Sequence, residues 1–557
     1  MLALLLPEGC NRQKDKILEG RKINAVHGMV VSAHPQASRA GVTVLEAGGN
    51  AVDAAVATEF ALAVCYPEAG NIGGGGFMVV RLRDGSSAVV DYREKAPLAA
   101  SRDMYLDSAG NVIAGKSIET QLSAGVPGTV DGMLRVHAKY GRLSFDKVIA
   151  PAIRLASEGF PVTAAQADDL NGNRDYFIKV NSAPTAFVKE GSWKEGDILK
   201  QPELAETLRL IRDKGHEGFY SGKTAGLIIG EMKRGNGIVS KEDLDSYRAI
   251  FREPVEGKYR GYRVITVPPP SGGGVILLQV LKMVEPWPLG EYGFHSAKAV
   301  HLIAEAEKRA FADRSEYAGD PAFVKVPVAG LLDPAYLKNR FADFDSAKAT
   351  PAKLIKAGRI EGFESNETTH YSVVDAEGNA VAATTTLNNI FGSSIVVKGA
   401  GFLLNDQMDD FSVKPGVPNM YGLIGGEANS IRPGKRMLSS MTPVIIEKEG
   451  KLFLVAGSPG GSTIPTTVLQ VITNVIDFKM PVSSAVDTGR FHDHWLPDRI
   501  MFEKGSLDTL ALMKLREMGY DLTGRSAIGS VNAIGVLDDG SYSAGADRRG
   551  SNTACAY

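Results

Sequence analysis

The chain has 557 residues and a formal net charge of -2, with 44% hydrophobic and 23% charged residues. This length suits two average domains or one large layered domain. The near-neutral charge provides no strong field for attracting nucleic acid or an anionic membrane, and no segment approaches the ~18 apolar residues of a transmembrane helix. We therefore expect a well-cored protein with no nucleic-acid partner and no integral membrane segment.

The three cysteines, Cys10, Cys65 and Cys555, give no disulfide framework. Cys10 follows the short apolar segment 1–6 and precedes a polar stretch, a pattern similar to the tail of a lipoprotein export signal. The segment lacks a basic n-region and its apolar run is short. The sequence leaves lipid attachment at Cys10 open.

Mixed α/β structure is predicted from residue 23 to residue 480. The predicted helices are 34–47, 50–64, 275–283 and 296–317. Asn50 is a suitable N-cap with Asp53 in the first turn, and Glu305 and Arg309 are spaced for an i,i+4 ion pair. No internal repeat or low-complexity linker divides the chain into independent domains.

The predicted strands include 77–83 and 87–92, and a hairpin follows later in the chain. Residues 369–374 and 380–386 are β-prone and flank the five-residue loop 375–379. If Val374 pairs with Ala380 across the hairpin, the residue numbers of every other pair also sum to 754. Thr368 then lies opposite Thr386 at the open end of the hairpin, with Asn388 just beyond.

This juxtaposition suggests acyl-transfer chemistry. A threonine hydroxyl is a weak nucleophile and needs a base. Cleavage before Thr368 would free an α-amino group with a pKa of about 7.7–8.0, which can serve as that base. Thr386 would orient the Thr368 hydroxyl, and the amides of Gly460 and Gly461 would stabilise a tetrahedral oxyanion. On composition alone, the β-propensity of a strand start explains Thr368-Thr369 better than catalysis does.

Other catalytic signatures are missing from the sequence. There is no G-x-S-x-G motif, no H-E-x-x-H motif and no pair of C-x-x-C motifs. His492 and His494 alternate as residues of a strand do, and no third metal ligand is apparent beside them. No metal and no organic cofactor are predicted, because nucleophile, base and oxyanion donors are all protein atoms.

Several ordered motifs resemble γ-glutamyltranspeptidases of the bacterial type. The segment Thr368-Thr369-His370-Tyr371-Ser372-Val373-Val374-Asp375 looks like the start of the small subunit of that family. The other similar segments are 71–77, 91–94, 269–273, 309–314, 404–411, 438–443 and 457–462. The resemblance extends from about Asn24 to the end of the chain.

The resemblance implies an α+β fold, a four-layer αββα sandwich of the N-terminal-nucleophile hydrolase type. The precursor would cleave itself between Glu367 and Thr368. Residues 1–23 would be a remnant of an export or lipoprotein signal with a linker. Residues 24–367 would form the large subunit and 368–557 the small subunit, the two remaining together as a heterodimer.

The resemblance also implies the function. Family members transfer the γ-glutamyl group of glutathione and other γ-glutamyl compounds to water, an amino acid or a dipeptide. Thr368 would be the nucleophile, Thr386 its partner, and Gly460 with Gly461 the oxyanion hole. Further residues would bind substrate: Arg93, Ser439 and Ser440 the α-carboxylate, and Asn388, Gln407 and Asp410 the α-ammonium. Residues 415–426 resemble a lid with Tyr421 near its centre. The bacterial relatives imply a periplasmic or secreted location.

Two alternatives to this function stay open. One is an acylase similar to the cephalosporin acylases of the same superfamily, which cleave glutaryl side chains without an α-amino group. A buried Asp410 would be costly with such a substrate. The other is an unprocessed, inactive protein that binds γ-glutamyl peptides. The complete set of catalytic candidates argues against that alternative.

Overall fold

The computed structural model describes residues 17–357, 369–414 and 427–557. Three predicted features therefore lie outside the described residues: Cys10, the nucleophile candidate Thr368 with the preceding Glu367, and the predicted lid with Tyr421. In the described part of the chain, no helix is both long and apolar enough to span a bilayer.

The strands of the described residues form two large sheets and two small ones. In chain order they are β1 (Leu18–Gly20), β2 (Asn24–Ala25), β3 (Met29–Ser32), β4 (Gly75–Arg81), β5 (Ser87–Asp91), β6 (Phe160–Pro161), β7 (Ile198–Leu199), β8 (Ile250–Arg252), β9 (Val255–Tyr259), β10 (Tyr262–Thr266), β11 (Thr369–Val374), β12 (Ala380–Thr386), β13 (Val444–Lys448), β14 (Lys451–Gly457), β15 (Phe491–His492), β16 (Ile500–Glu503), β17 (Leu522–Arg525), β18 (Asn532–Val536), β19 (Tyr542–Ala546) and β20 (Thr553–Ala556).

The α-helices of the described residues are α1 (Pro35–Glu46), α2 (Ala51–Cys65), α3 (Thr129–Tyr140), α4 (Phe145–Glu158), α5 (Ala164–Gly172), α6 (Arg174–Val180), α7 (Pro202–Lys214), α8 (Glu217–Tyr220), α9 (Gly222–Arg234), α10 (Lys241–Ser246), α11 (Gly273–Val284), α12 (Leu289–Tyr292), α13 (Ala297–Tyr317), α14 (Val328–Leu331), α15 (Pro334–Arg340), α16 (Thr463–Ile476), α17 (Val482–Asp487) and α18 (Thr509–Glu517).

The two large sheets stack face to face. The first has the strand order β1-β20-β3-β11-β12-β4-β5-β8, and the second has the order β2-β19-β18-β14-β13-β10-β9. The side chains between them are apolar, as in the sequence pattern of a sheet buried on both faces. Strands β11 and β12 of the first sheet contact β14 and β18 of the second. The hairpin β11–β12 therefore lies at the centre of the molecule.

Helices cover the outer face of each sheet. Helices α1 and α2 pack on the first sheet, and α11, α16 and α17 pack on the second. Every residue of α2 is buried, and its many alanines allow close packing. These layers confirm the predicted αββα arrangement.

The N-terminus of α2 confirms a local prediction. The Asn50 side chain accepts hydrogen bonds from the amides of Val52 and Asp53, and the Asp53 carboxylate accepts one from the Asn50 amide. This reciprocal capping box satisfies backbone donors that a helix start leaves unpaired. The cap fixes where the buried helix begins beneath the central strands.

Candidate active site

The hairpin has the register predicted from its loop length. Thr369 pairs with Thr385 and Val374 pairs with Ala380, so paired residue numbers sum to 754. On its other side β12 pairs with β4, where Thr386 faces Gly75. The Thr386 hydroxyl is fully buried and accepts a hydrogen bond of 2.8 Å from the amide of Asn388. It lies at the hairpin's open end, the position required of a partner for residue 368.

A run of glycines allows the end of β12 to pack this closely. A Cβ atom on Gly74 would lie 2.0 Å from the Thr386 carbonyl oxygen, and one on Gly76 would lie 2.2 Å from the Thr384 carbonyl oxygen. Asn71 fixes the same strand end, because its Nδ2 donates to the Thr386 carbonyl at 2.8 Å. Sequence analysis included Asn71 in a motif without giving it a function.

The glycine loop between β14 and α16 has an open backbone. Gly460 has φ of +124° and Gly461 has φ of +58°, values that favour glycine over other residues. Neither amide donates a hydrogen bond to another described residue. The loop leads into the N-terminus of α16, where aligned peptide dipoles favour negative charge. This combination suits the stabilisation of an oxyanion.

His370 connects the hairpin to this glycine loop. Its ring is fully buried, with Nδ1 2.9 Å from Thr384 Oγ1 and Nε2 3.2 Å from Ser372 Oγ. A Cβ atom on Gly457 would lie 2.4 Å from the ring. Burial lowers the pKa of His370 to about 3, so the ring is neutral at physiological pH. The imidazole therefore acts as a spacer between β11 and the start of the loop.

Three predicted substrate-binding residues meet directly. The Arg93 guanidinium pairs with the Asp410 carboxylate, and Gln407 Nε2 donates to the same carboxylate oxygen. All three side chains are buried. The second Asp410 oxygen, Oδ1, and Gln407 Oε1 have no hydrogen-bond donor among the described residues. These two buried acceptors can accept hydrogen bonds from an ammonium group.

Ser439 and Ser440 lie next to Leu438, whose carbonyl accepts a hydrogen bond from Arg93. Ser439 Oγ accepts from the Met441 amide, and Ser440 Oγ accepts from Arg314 Nη2 at 3.4 Å. Within the described segments neither hydroxyl donates a hydrogen bond to a protein acceptor. Both hydroxyl protons are therefore available for a carboxylate.

Asn388 completes the predicted set and lies just past β12. Its backbone has φ of +83°, a conformation that asparagine tolerates better than most residues. Its Nδ2 donates to the Asp406 carbonyl at 3.1 Å. Asp406 is the N-cap residue of the short 3₁₀ helix Gln407–Asp410. Asn388 is thereby linked to the helix that carries the two buried acceptors.

Burial sets the electrostatics of the site. Desolvation raises the pKa of Asp410, and the nearby Arg93 opposes that rise. Desolvation likewise raises the pKa of Glu94 to about 7, again against the effect of Arg93. Burial lowers the pKa of Arg314, whose charge is favoured by Asp410. The site thus holds two guanidinium groups against two carboxyl groups in surroundings of low polarity.

Sequence analysis missed Arg314 and Glu94 as members of this cluster. Both belong to motifs that resemble the family, but the resemblance supplied no function for them. Arg314 lies on α13, and its i,i+7 spacing from Glu307 places both on one face of that helix.

Among the described residues, no group of three or more His, Cys, Asp or Glu side chains is arranged to hold a metal ion.

Comparisons with known proteins identify the family of the chain. A family model described as gamma-glutamyltranspeptidase matches residues 37–557. The glutathione hydrolase proenzyme of Escherichia coli (strain K12) is 49% identical over 530 residues, covering 95% of this chain and 91% of that protein.

Two solved structures show the same fold. The cephalosporin acylase from Bacillus halodurans has a TM-score of 0.83 at 26% identity, covering 100% of this chain and 99% of that one. The gamma-glutamyltranspeptidase of Helicobacter pylori has a TM-score of 0.58 at 47% identity, covering 59% of this chain and 94% of that one. The sandwich is therefore of the N-terminal-nucleophile hydrolase type. The chain belongs to the gamma-glutamyltranspeptidase family.

Proposed function

We propose that the protein is a self-cleaving γ-glutamyltransferase and glutathione hydrolase that uses Thr368 as its nucleophile. The observation that carries this proposal is the buried arrangement of Arg93, Gln407 and Asp410 near the open end of the β11–β12 hairpin. It brings a guanidinium together with two acceptor oxygens, Asp410 Oδ1 and Gln407 Oε1, that have no donor among the described residues. This is the complement of an amino acid's α-carboxylate and α-ammonium groups.

We expect Thr368 to lie opposite Thr386, because the described register pairs Thr369 with Thr385 and would continue by one residue. Cleavage of the bond between Glu367 and Thr368 frees the Thr368 amino group. This group accepts the proton of the Thr368 hydroxyl as the oxygen attacks the γ-carbonyl carbon of the donor. The amides of Gly460 and Gly461 stabilise the oxyanion, and the departing amine takes the proton.

The γ-glutamyl ester on Thr368 then reacts with a second nucleophile. Water gives free glutamate, and an amino acid or dipeptide gives a new γ-glutamyl amide. In each case the incoming nucleophile loses a proton to the Thr368 amino group and the hydroxyl is restored. Every group in these steps comes from the protein and its substrates.

The amino-acid head of the donor fixes its orientation. Arg93 and the free hydroxyl protons of Ser439 and Ser440 bind the α-carboxylate. Asp410 Oδ1 and Gln407 Oε1, with Asn388, bind the α-ammonium. Asp410 and Arg93 pair with each other in the site without ligand. A γ-glutamyl donor with an α-carboxylate and an α-ammonium replaces this one buried ion pair with two, one at Arg93 and one at Asp410. A donor with only one of the charges leaves a buried group unpaired.

This requirement separates the proposal from the acylase alternative. A glutaryl amide has no α-ammonium and would leave Asp410 and Gln407 unsatisfied. Comparison of γ-glutamyl-p-nitroanilide with glutaryl-p-nitroanilide tests this point. We expect a strong preference for the γ-glutamyl substrate, and a preference for the glutaryl substrate would favour an acylase.

Self-cleavage separates the proposal from the binding-protein alternative. The purified protein is incubated near neutral pH, run on a denaturing gel, and the smaller fragment is sequenced from its N-terminus. We expect a fragment that begins Thr368-Thr369-His370. The Thr368→Ala variant should remain a single chain with no activity. An intact wild-type chain after prolonged incubation would favour the binding protein.

The two fragments are expected to remain a heterodimer, because both contribute strands to each large sheet. Strands β3 and β4 precede the cleaved bond and flank the hairpin β11–β12, which follows it. Residues 415–426 with Tyr421 are proposed to close over the site as a lid. We further propose a periplasmic or secreted location, with Cys10 as a candidate lipid attachment site.

A further inference from the structure

Two hydroxyl groups, those of Ser458 and Thr463, flank the glycine pair Gly460 and Gly461. Both side chains are buried, with 0% and 4% of their surface exposed. Ser458 directly follows β14, and Thr463 is the first residue of α16. Neither residue is among those proposed for catalysis or for donor binding. Their hydroxyls lie at the two ends of the loop that carries the proposed oxyanion hole.

Thr463 fixes the peptide unit between Gly460 and Gly461. Its amide donates to the Gly460 carbonyl at 3.0 Å, and its hydroxyl donates to the same carbonyl at 2.7 Å. A peptide unit is planar and this one is trans, so its carbonyl and its N–H point in opposite directions. The two hydrogen bonds to the Gly460 carbonyl therefore set the direction of the Gly461 N–H.

Ser458 fixes the preceding peptide unit in the same way. Its hydroxyl donates to the Pro459 carbonyl at 2.6 Å, and that carbonyl shares a trans peptide unit with the Gly460 N–H. Ser458 Oγ also accepts a hydrogen bond of 3.0 Å from the Ser530 amide, just before β18. The direction of the Gly460 N–H is thereby set from outside the loop.

The two glycines need this support because of their backbone freedom. Their φ values are +124° and +58°, and a residue without a Cβ atom restricts the rotation of its peptide units least. An oxyanion hole is effective when its donors already point at the developing charge, because no free energy is then spent on turning them. The restriction must come from groups that hold the two carbonyls.

We propose that Ser458 and Thr463 are positioning residues that direct the two oxyanion amides, with one hydroxyl for each peptide unit. This inference rests on the proposed function, which assigns the oxyanion to Gly460 and Gly461. Loss of either hydroxyl lets one peptide unit rotate and leaves the residues that bind the amino-acid head in place. The defect therefore falls on the tetrahedral intermediate and not on binding of the head.

Thr463→Val and Ser458→Ala test the two peptide units separately. Each variant is incubated until a denaturing gel shows cleavage, and rates are normalised to the processed protein. We expect kcat/KM for γ-glutamyl-p-nitroanilide to fall on the order of tenfold in each, less than the roughly 100- to 1,000-fold loss when an oxyanion donor is removed outright. Thr463→Ser keeps the hydroxyl and should retain the wild-type kcat/KM.

Two inhibitors distinguish positioning from a general structural role. In 2-amino-4-boronobutanoate, the boron accepts an electron pair from the Thr368 oxygen as the hydroxyl proton passes to the Thr368 amino group, which gives a tetrahedral adduct. Norvaline carries the same amino-acid head and no group for the oxyanion hole. The inhibition constant of the boronate should rise in parallel with the fall in kcat/KM, because the adduct mimics the tetrahedral state. That of norvaline should stay at its wild-type value.

Thr467→Val provides the control within helix α16. Thr467 is also buried, and its hydroxyl has no hydrogen-bond partner among the described residues. This variant should leave kcat/KM and both inhibition constants unchanged.

The wild-type protein separates the two ways in which the inference can fail. With an active wild type, unchanged kcat/KM in both Thr463→Val and Ser458→Ala would overturn the inference. Equal changes for the two inhibitors, or failure of both variants to cleave, would also overturn it. A wild-type protein that does not turn over the donor would overturn the proposed function, and this inference with it.

Discussion

At the scale of single residues, Asp410 decides which donors the site accepts. Asp410→Asn removes the negative charge opposite the substrate ammonium and leaves Glu94 as the carboxylate paired with Arg93. We expect the KM for γ-glutamyl-p-nitroanilide to rise roughly ten- to a hundredfold, the effect of about 1.5–3 kcal/mol for a hydrogen bond to a charged group. Steady-state kinetics on the processed enzyme measures this change.

The adjacent Asp409 offers a matched control for Asp410. It belongs to the same 3₁₀ helix, but its Oδ1 accepts a hydrogen bond of 2.6 Å from Ser117. The ion pairs found for Arg93 in the described part of the chain are with Glu94 and Asp410. Asp409→Asn should leave the KM for the donor close to the wild-type value. Equal KM values for wild type and Asp410→Asn would assign the ammonium to other residues.

Thr386 is predicted to act through its hydroxyl. Thr386→Val keeps the shape of the side chain but removes the acceptor of the Asn388 amide, at a cost of about 1–3 kcal/mol for a buried donor left unpaired. Self-cleavage should slow markedly in this variant, as followed by fragment appearance on denaturing gels. Thr386→Ser keeps the hydroxyl and should cleave at close to the normal rate. Equal rates for the valine and wild-type proteins would rule out this role.

At the scale of structural elements, the contact between β14 and β11 positions the glycine loop. Gly457→Ala places a methyl group 2.4 Å from the His370 ring, whose two nitrogens are engaged by Thr384 and Ser372. We expect a loss of about 1–3 kcal/mol in unfolding free energy, because a buried ring or strand must shift. Self-cleavage should slow as well, since the loop carries Gly460 and Gly461. Thermal denaturation and fragment time courses measure the two effects.

The control for Gly457 is Gly226 within helix α9. It is exposed, and a Cβ atom there would have no neighbour within 4 Å. Gly226→Ala should therefore raise stability by about 0.5–1 kcal/mol, the usual gain in a helix interior. Equal stability changes at the two positions would show that the β14–β11 contact is less tight than the geometry indicates.

The elements that sequence analysis predicted correctly depend on local rules. A five-residue loop fixes the register of β11 and β12, and the Asn50 cap fixes the start of α2. Helix α13 likewise begins one residue after its predicted start, with the Ser296 hydroxyl accepting a hydrogen bond from the Ala299 amide. Each of these features involves residues that are close in sequence, so their patterns are visible without the fold.

The order of strands could not be predicted in this way. Strand β20 at the end of the chain lies between β1 and β3, and Thr553 pairs with Ser32. Sequence analysis predicts no strand at Thr553–Ala556, because alternation along four residues carries little information. The cluster around Arg93 shows the same limit, since its contact with Asp410 joins residues 317 positions apart. Only resemblance to a family indicated that these two residues belong together.

At the scale of the whole molecule, buried carboxyl groups couple stability to pH. Burial is the first cause of a raised pKa at each of five carboxyl groups: to about 7 for Glu59, Glu94 and Asp409, and to about 8 for Glu68 and Asp493. A folded state with raised carboxyl pKa values binds more protons than the unfolded chain. The stabilisation that these groups contribute is complete at pH values below the carboxyl pKa of the unfolded chain. It decreases as the pH rises through the carboxyl pKa of the folded protein.

Buried histidines act in the opposite direction at lower pH. Burial lowers the pKa to about 4 for His34 and His494 and to about 3 for His370. Their unfolded forms bind protons below about pH 6.5, so these groups make stability fall as pH decreases from 6.5 toward 4. A pH profile of the wild-type protein alone therefore mixes both classes of group. A comparison between variants isolates one carboxyl group.

Glu59 is the most direct group to test, because it is fully buried on α2 beneath the central hairpin and desolvation is the largest cause of its raised pKa. Glu59→Gln preserves its shape and removes its titration. The unfolding free energy of the variant relative to wild type should increase between pH 4.5 and pH 7, by up to about 3 kcal/mol from the shift in pKa.

Histidine contributions cancel in this difference because both proteins contain them. Denaturant unfolding at several pH values measures it, with exposed Glu190→Gln as a control that should show no trend. A flat difference for Glu59→Gln would mean that Glu59 is ionised in the folded protein throughout this range.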